Sequence, residues 1–498
     1  MDPLRLRSLN DRPRRGAARY VLYWMSAARR TRHNFGLQRA VELANELERP
    51  LLVFEALRAG YRWASARHHA FAIDGMRDNA ARCAAAGVAY SAWIEPRAGA
   101  GKGLFAALAA DACAVVADDW PCFFLPRALA AAARQSPVAF EAVDSCGLLP
   151  LRAAPGAFAR AYDLRRYLQR ELAPHLARAP LAEPLDQLRA RGQAELAPAV
   201  LRRFELRGAR ELADARGAPA VEGLDLGVAA VARPGGPSEG ARVLAAFLAR
   251  NLDRYHEERS HVDAPAASGL SPYLHYGHVG AHEVFAALAA RESWSPAALG
   301  ASTAGKKEGW WGMSAGAESF LDELVTWREL GFNAFVHHPD SDRYESLPAW
   351  ALATLERHAR DRRPHVYTHA ELERASTHDE LWNCAQRELV RSGGMHNYLR
   401  MLWGKKVLEW SRHPREAFAT LVELNNKYAL DGRDPNSYSG IAWCFGRYDR
   451  PWAPERPIFG VIRYMSSANT ARKFRVRDYM ARHAADAGEA QSGALPFA

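Results

Sequence analysis

The stretch Leu430–Trp452, LDGRDPNSYSGIAWCFGRYDRPW, gathers side chains able to bind a ligand and hold charge. Asp431, Gly432, Asp434, Pro435 and Asn436 are turn chemistry, because Gly and Asn tolerate positive φ and Pro fixes φ. Trp443, Phe445, Tyr448 and Trp452 follow, with Arg447 and Arg450 among them. Together they describe a wall for a planar, hydrogen-bonding ligand with cations nearby. A surface loop running into a buried helix would use the same residues.

Three further segments carry candidate chemistry. Ser268, Gly269, Leu270, Ser271 and Pro272, which follow Tyr255 by a short loop, read as a helix start with proline in the first turn. Free N–H groups there, with the serine hydroxyls, would cradle phosphate, although plain helix caps look the same. In Phe320–Phe335, Glu323 and Trp327 lie four apart on one helical face. A carboxylate beside an indole could hydrogen-bond and stack a base; a glutamate on a solvated face is the simpler alternative. In Met395–Trp410, Tyr398 and Met401 are three apart and Trp403 and Trp410 seven apart. Seven residues are two turns, which sets both indoles on one side about 10 Å apart along the axis. That distance suits electron hopping if a redox centre lies at one end, and the same spacing also makes an ordinary core stripe. Arg400, a cation in this apolar helix, needs a carboxylate, and Asp431 is the candidate.

The elements that must position these residues follow from the patterning. β-rich runs at Tyr20–Met25, Leu51–Glu55, Val88–Ile94, Cys113–Ala117 and Val138–Val143 alternate with helical stretches such as Leu37–Leu47 and His69–Ala86. Strands alternating with helices predict a doubly wound parallel α/β sheet, with ligands at the carboxyl ends of its strands. No GxGxxG follows the first run, where Ser26-Ala27-Ala28-Arg29-Arg30 stands, so a dehydrogenase-type dinucleotide site is disfavoured. Asp118-Asp119-Trp120-Pro121 reads as turn residues that could also line a crevice. From Ser145 to about Gly240 the strands give out in an Arg-, Ala-, Pro- and Gly-rich connection. Beyond it the pattern is helical, so the fold class is an α/β domain, a long linker and an all-α domain.

Composition narrows the function classes. The 498 residues carry a formal charge of +10 and a pI near 9.4, which favours a polyanionic partner, nucleic acid first. Fourteen tryptophans suit base- or flavin-packing surfaces. Six scattered cysteines without CxxC or Cys/His spacing argue against zinc, an iron–sulfur cluster or a disulfide framework, and for a reducing, cytoplasmic setting. No stretch reaches the roughly 18 apolar residues of a membrane span. The basic N-terminus (Arg5, Arg7, Arg12, Arg14, Arg15) lacks an apolar signal core and reads as a mobile arm.

Taken in order, VLYWMS (21–26), SGLSPYLHYG (268–277), MHNYLRMLWGKKVLEW (395–410), DGRDPNSYSGIAW (431–443), ERPIFGVIRYM (455–465) and ARKF (471–474) resemble the photolyase/cryptochrome family, specifically class II cyclobutane pyrimidine dimer photolyases. The resemblance implies a basic flexible arm (1–18), a Rossmann-like antenna domain (19–145), a linker (146–240), a helical FAD-binding catalytic domain (241–480) and a flexible tail (481–498). It implies light-driven repair of cyclobutane dimers in UV-damaged DNA by reduced FAD, with the dimer flipped out of the duplex. A monomer acting in the cytoplasm is expected, without a metal. An antenna chromophore would be of the 8-hydroxydeazaflavin type, or there would be none.

By motif position, Tyr255, Ser268, Gly269, Leu270, Ser271 and Asn397 would hold FAD, with Arg400 paired to Asp431 beside the flavin and Asp434 and Asn436 in contact with it. Asn425 would face flavin N5. Glu323 would hydrogen-bond the dimer, and Trp327, Met401 and Trp443 would pack around it. Arg259, Arg450, Trp452, Arg463 and Arg472 would meet the lesion or the opened DNA. Trp403, Trp382 and Trp410 would relay electrons to oxidised FAD. Two motifs depart from the class pattern: Glu258-Arg259-Ser260, where the third residue is usually Asn, and His33-Asn34-Phe35, where an acidic residue and then Asn-Trp are usual. The stretch Ser293–Gly316, with Trp310 and Trp311, is longer than the class suggests. A cryptochrome-like photoreceptor and repair of (6-4) photoproducts are the alternatives; the second would call for lesion-side histidines.

Overall fold

A computed structural model describes residues 1–190, 192–208, 211–212 and 221–485. Seven strands form one sheet: β1 (Leu6–Ser8), β2 (Tyr20–Met25), β3 (Leu51–Leu57), β4 (Ala89–Ile94), β5 (Ala112–Asp118), β6 (Phe140–Val143) and β7 (Arg207–Gly208). Their order is β1-β6-β5-β2-β3-β4-β7; the five inner strands are parallel and the two edges antiparallel. Side chains alternate across β2, as the strand period requires. Val21, Tyr23 and Met25 pack with helices α1 (Phe35–Leu47) and α2 (Ala66–Ala85). Tyr20 and Leu22 pack with α3 (Leu104–Ala110) and α4 (Leu125–Gln135) on the other face. Covering both faces is what lets the inner strands be continuously apolar.

The chain reverses direction between β2 and β5, where such sheets present a binding crevice. Here the loop after β2 is fastened from within. Asp118 Oδ2 accepts hydrogen bonds from the N–H groups of Ser26, Ala27 and Ala28 at 2.8, 2.8 and 2.9 Å, and Oδ1 accepts one from the Tyr23 hydroxyl at 2.7 Å. Backbone donors that would hold a dinucleotide phosphate in a glycine-rich turn hold a carboxylate of the chain itself.

Two expectations are corrected. The N-terminal segment is not a free arm: β1 pairs with β6, and Arg5, 1% exposed, pairs with Asp144 at 3.3 Å and donates to the carbonyls of Gly147 and Leu148. A buried carboxylate fixes the segment more strongly than its basic composition solvates it. The linker is not strandless, since β7 extends the sheet beside β4. Of the expected tail, residues 486–498 lie outside the described residues, as do 191, 209–210 and 213–220 of the linker.

The remainder is helical and docks on the sheet through buried polar contacts. Glu329, in the helix Arg328–His337, accepts from the N–H groups of Leu148 and Leu149 at 2.7 and 3.1 Å. Burial pushes its carboxyl up to about 7 against those bonds. Gly331 of the same helix lets the chain at Pro435 and Asn436 approach, since a Cβ there would meet both at 2.9 Å.

Candidate active site

A cleft of about 1220 Å³ opens among the short helix Ser271–His275, the turn Asp322–Trp327, the start of the helix Asn397–Trp410 and the helix Pro435–Cys444. On one side Arg400 grips Asp431 in a two-pronged pair, with Nη2 3.1 Å from Oδ1 and Nη1 3.3 Å from Oδ2. Burial alone would raise the Asp431 carboxyl; the Arg400 charge and hydrogen bonds from Arg400 and Ser271 outweigh it and hold the group below its ordinary value of 3.8. Asp434 caps the helix Pro435–Cys444, accepting from Asn436 N–H at 2.8 Å, while its other oxygen meets His275 Nδ1 at 3.2 Å. Pro435 begins that helix, where a missing N–H costs nothing.

Tyr255, Ser268, Ser271, Asn397 and Asn436 also line this side. Gly269 and Leu270 stand behind the wall: Gly269 turns the chain at φ 69°, and Leu270 is buried in the core. Asn425 does not line the cleft. Its Nδ2 donates to Ser437 Oγ at 2.7 Å, and Ser437 is the residue that reaches the cleft.

Another part of the cleft lining comes from a π-helical turn, Asp322–Trp327, inserted between the helices Ala315–Leu321 and Arg328–His337. Such widened turns recur at functional sites. Within Leu321–Leu330 only Glu323 and Trp327 escape full burial, and both line the cleft. Glu323 is therefore not on a solvated face. Arg259 Nη1 donates to Glu323 Oε1. Burial raises the Glu323 carboxyl above its ordinary value even though Arg259 opposes the shift. Trp327 and Trp443 stack at 4.4 Å between centroids and 15° between planes, and Met401 lines the same wall.

Past the cleft, Trp452 is 36% exposed and carries a guanidinium near each of two approaches, Arg450 at 4.9 Å and Arg463 at 5.2 Å. Asp449 Oδ1 fixes its indole N–H at 3.0 Å. Arg472 is elsewhere, on the helix Ser467–Lys473 beside a surface hollow that includes Asp263. Trp382, Trp403 and Trp410 are all buried. The Trp382 indole donates to the Trp403 carbonyl at 3.1 Å and stacks edgewise on Trp410 at 5.5 Å. Tyr367 and His378 cover Trp410 at 5.4 and 5.3 Å.

Tyr448, part of the aromatic wall read in the sequence, lines the cleft, as do His275, Ser437 and Ser439, which were not singled out by sequence. The signal for His275 was its place four residues after Ser271, one helical turn along the same face. A second cleft of about 920 Å³ lies at the carboxyl ends of the inner strands, with Trp24, Tyr61, Phe123 and Phe124 as walls and Arg29 and Arg433 as cations. Among the described residues no group of His, Cys, Asp or Glu could hold a metal ion. No helix there is long and apolar enough to cross a membrane.

No family model matches the chain. It is similar to the deoxyribodipyrimidine photo-lyase of Methanothermobacter thermautotrophicus, with 35% identity over 489 residues covering 96% of this chain and 97% of that protein. The proteins of the same name from Oryza sativa subsp. japonica and Potorous tridactylus are 33% and 31% identical, each over 92% of this chain and over 86% and 80% of theirs. In fold the chain resembles the crystal structure of a bacterial class III photolyase from Agrobacterium tumefaciens. That match has a TM-score of 0.66 at 17% identity and covers 96% of this chain and 92% of that one.

Proposed function

The chain belongs to the deoxyribodipyrimidine photo-lyase family, and we propose from this premise that the cleft between Asp431 and Trp443 is where its class II chemistry is done. The activity is light-driven repair of cyclobutane pyrimidine dimers in DNA, a carbon–carbon lyase reaction with FAD as cofactor. Bound reduced FAD supplies, on excitation, the electron that splits the cyclobutane ring and receives it back. The chain's own residues do the rest. Arg400, Asp431, Ser271, Asn397 and Asn436 hold the cofactor, Asp434 fixing His275 and the helix start behind it. Tyr255 and Ser268, on the turn that Gly269 permits, border its phosphates, and Asn425 acts on it through Ser437. The donor set fits the group: one ion pair with several hydroxyls and amides around it.

Glu323, its carboxyl raised by burial, meets the dimer carbonyl edge, where in its protonated form it donates a hydrogen bond as negative charge develops. Trp327, Trp443 and Met401 pack the dimer. Arg450, Trp452 and Arg463 enter the space from which the flipped bases leave, and Arg472 meets phosphate farther out. Trp403, Trp382 and Trp410 carry electrons inward for photoreduction. The free buried cysteines suit a cytoplasmic enzyme.

An antenna chromophore of the 8-hydroxydeazaflavin type suits the second cleft. Arg433 is 4% exposed and makes no ion pair with a carboxylate among the described residues, so a planar anion would neutralise it. The observation that carries the main reading is that Arg400–Asp431 and Glu323–Trp327–Trp443 line one cleft. The test is to reduce the purified protein and illuminate it with dimer-containing DNA. Intact dimers after blue light would sink the reading in favour of a photoreceptor.

A further inference from the structure

The segment Ser293–Gly316 is built, not loose. The Glu318 carboxylate accepts hydrogen bonds from the N–H groups of Gly309, Gly312 at 2.9 Å and Met313 at 3.4 Å. Trp310 and Trp311 are sunk in the main helical core, and the Trp294 indole donates to the Trp311 carbonyl at 2.6 Å. Gly300 N–H closes on the Trp310 carbonyl at 2.7 Å. The segment's outer end is clamped to the helix Ala161–Glu171 by a reciprocal pair: Gly305 N–H donates to Gln169 Oε1 at 2.7 Å, and Gln169 Nε2 donates to the Lys306 carbonyl at 2.9 Å. Arg165 of that helix binds the Gly305 carbonyl and forms a two-pronged pair with Asp322, at 2.7 and 3.1 Å. Asp322 adjoins Glu323 in the cleft wall. Three links thus lead from the segment's tip to the cleft.

What the clamp presents is positive and open. Lys306 and Lys307 are exposed and carry no ion pair among the described residues, and Glu308 is the sole acid in the segment. Arg166, exposed on the clamped helix, also has no acidic partner among the described residues; its guanidinium lies 5.9 Å from the ring of Tyr162, itself 46% exposed. Gly305 lets the segment lie against this pair, since a Cβ there would meet Arg166 Cγ at 2.5 Å. Cations held at fixed positions without counter-ions, beside an exposed aromatic ring, are suited to phosphodiester oxygens.

We propose that Lys306, Lys307 and Arg166 form a second phosphate-contacting surface, which grips the DNA backbone flanking the flipped dimer. This rests on the repair reading above and adds to it a contact made by the long segment. Binding of a dimer-containing duplex, measured across a salt series, tests it. Each phosphate contact contributes a slope of about −0.9 in log K against log salt. The double substitution Lys306→Ala with Lys307→Ala should therefore flatten the slope by about 2 and weaken binding on the order of tenfold near 0.1 M salt. Flavin absorbance of the variant should match that of the parent. An unchanged slope would overturn the proposal, and so would loss of bound flavin, which would make the lysines structural. The unmodified protein gives an independent arm. Lys306 and Lys307 should be protected from an amine-reactive reagent when dimer DNA is bound, and equal labelling with and without DNA would also overturn the proposal. Failure of the parent protein to bind or repair the dimer would instead strike the repair reading.

Discussion

Trp327 and Trp443 face each other as a closed stack, 4.4 Å apart and 15° from parallel, although 116 positions separate them in sequence. Nothing enters between planes that close, so a ligand in the cleft meets the two indoles as one wall. Aromatic stacking on a base contributes about 1–3 kcal/mol per base. Trp443→Ala should therefore lower affinity for dimer-containing DNA by about 10-fold or more, leave undamaged DNA binding nearly as it was, and retain FAD. Paired titrations with damaged and undamaged duplexes decide it; equal losses on both would remove the stack from lesion recognition.

Glu323 carries a pH signature. Burial raises its carboxyl above the usual carboxylate range, and Arg259 pulls the other way without cancelling the rise. If, as proposed, the protonated form donates to the dimer, repair quantum yield should climb as pH falls through that raised pKa and drop as pH rises past it. Glu323→Gln, which keeps a donor at all pH values, should give a flat profile; Glu323→Ala should lower the yield throughout while FAD stays bound. Loss of FAD in the alanine variant would show that the side chain serves the cofactor instead.

The pair Arg400–Asp431 behaves oppositely. Asp431 ionises below its ordinary 3.8, so its contribution is complete above that value and disappears as pH falls through the lower, folded-state pKa. Asp431→Asn keeps the shape and leaves Arg400 uncompensated. Fully buried pairs cost about 3–5 kcal/mol to break in this way, and the 25% exposure of Arg400 reduces that. FAD retention should fall roughly 10- to 100-fold, read by flavin fluorescence after dilution. Retention that stays at the parent level at pH 7 would take this pair out of cofactor binding.

How much of this was legible in the sequence depended on length and on partners. Tyr20–Met25 matches β2, and the other inner strands fall within two residues, because each is a buried apolar run bounded by helices. β1 and β7, of three and two residues, are too short to pattern and exist through pairing with β6 and β4. Arg5 looked like one more surface cation; its partner Asp144 stands 139 positions away. Arg400 was legible because a cation in an apolar helix demands a counter-ion. Glu323 and Trp327 were legible as a shared face, but the π-helical turn that aims them was not, since a shift of one hydrogen-bond register has no composition of its own. Asp118 read as a turn residue because its three backbone donors arrive from the loop after a different strand.

The proposed tryptophan relay makes the last prediction. Trp382 joins the other two members: its indole donates to the Trp403 carbonyl, and its ring meets Trp410 at 5.5 Å. None of the three touches solvent freely, so the outer end of the path must leave through the rings that cover Trp410, Tyr367 and His378. Because repair by reduced FAD returns its electron, it needs no relay, whereas recovery of oxidised FAD does. Trp403→Phe should therefore slow photoreduction of oxidised protein at least about 10-fold, equivalent to about 1.4 kcal/mol in barrier. Repair by the chemically reduced variant should match the parent. Trp382→Phe should do the same, whereas Trp410→Phe should slow photoreduction less, since Trp382 and Trp403 still accept. Photoreduction at the parent rate in Trp403→Phe would remove that residue from the path, and loss of repair in the reduced variant would place it in the cleft chemistry.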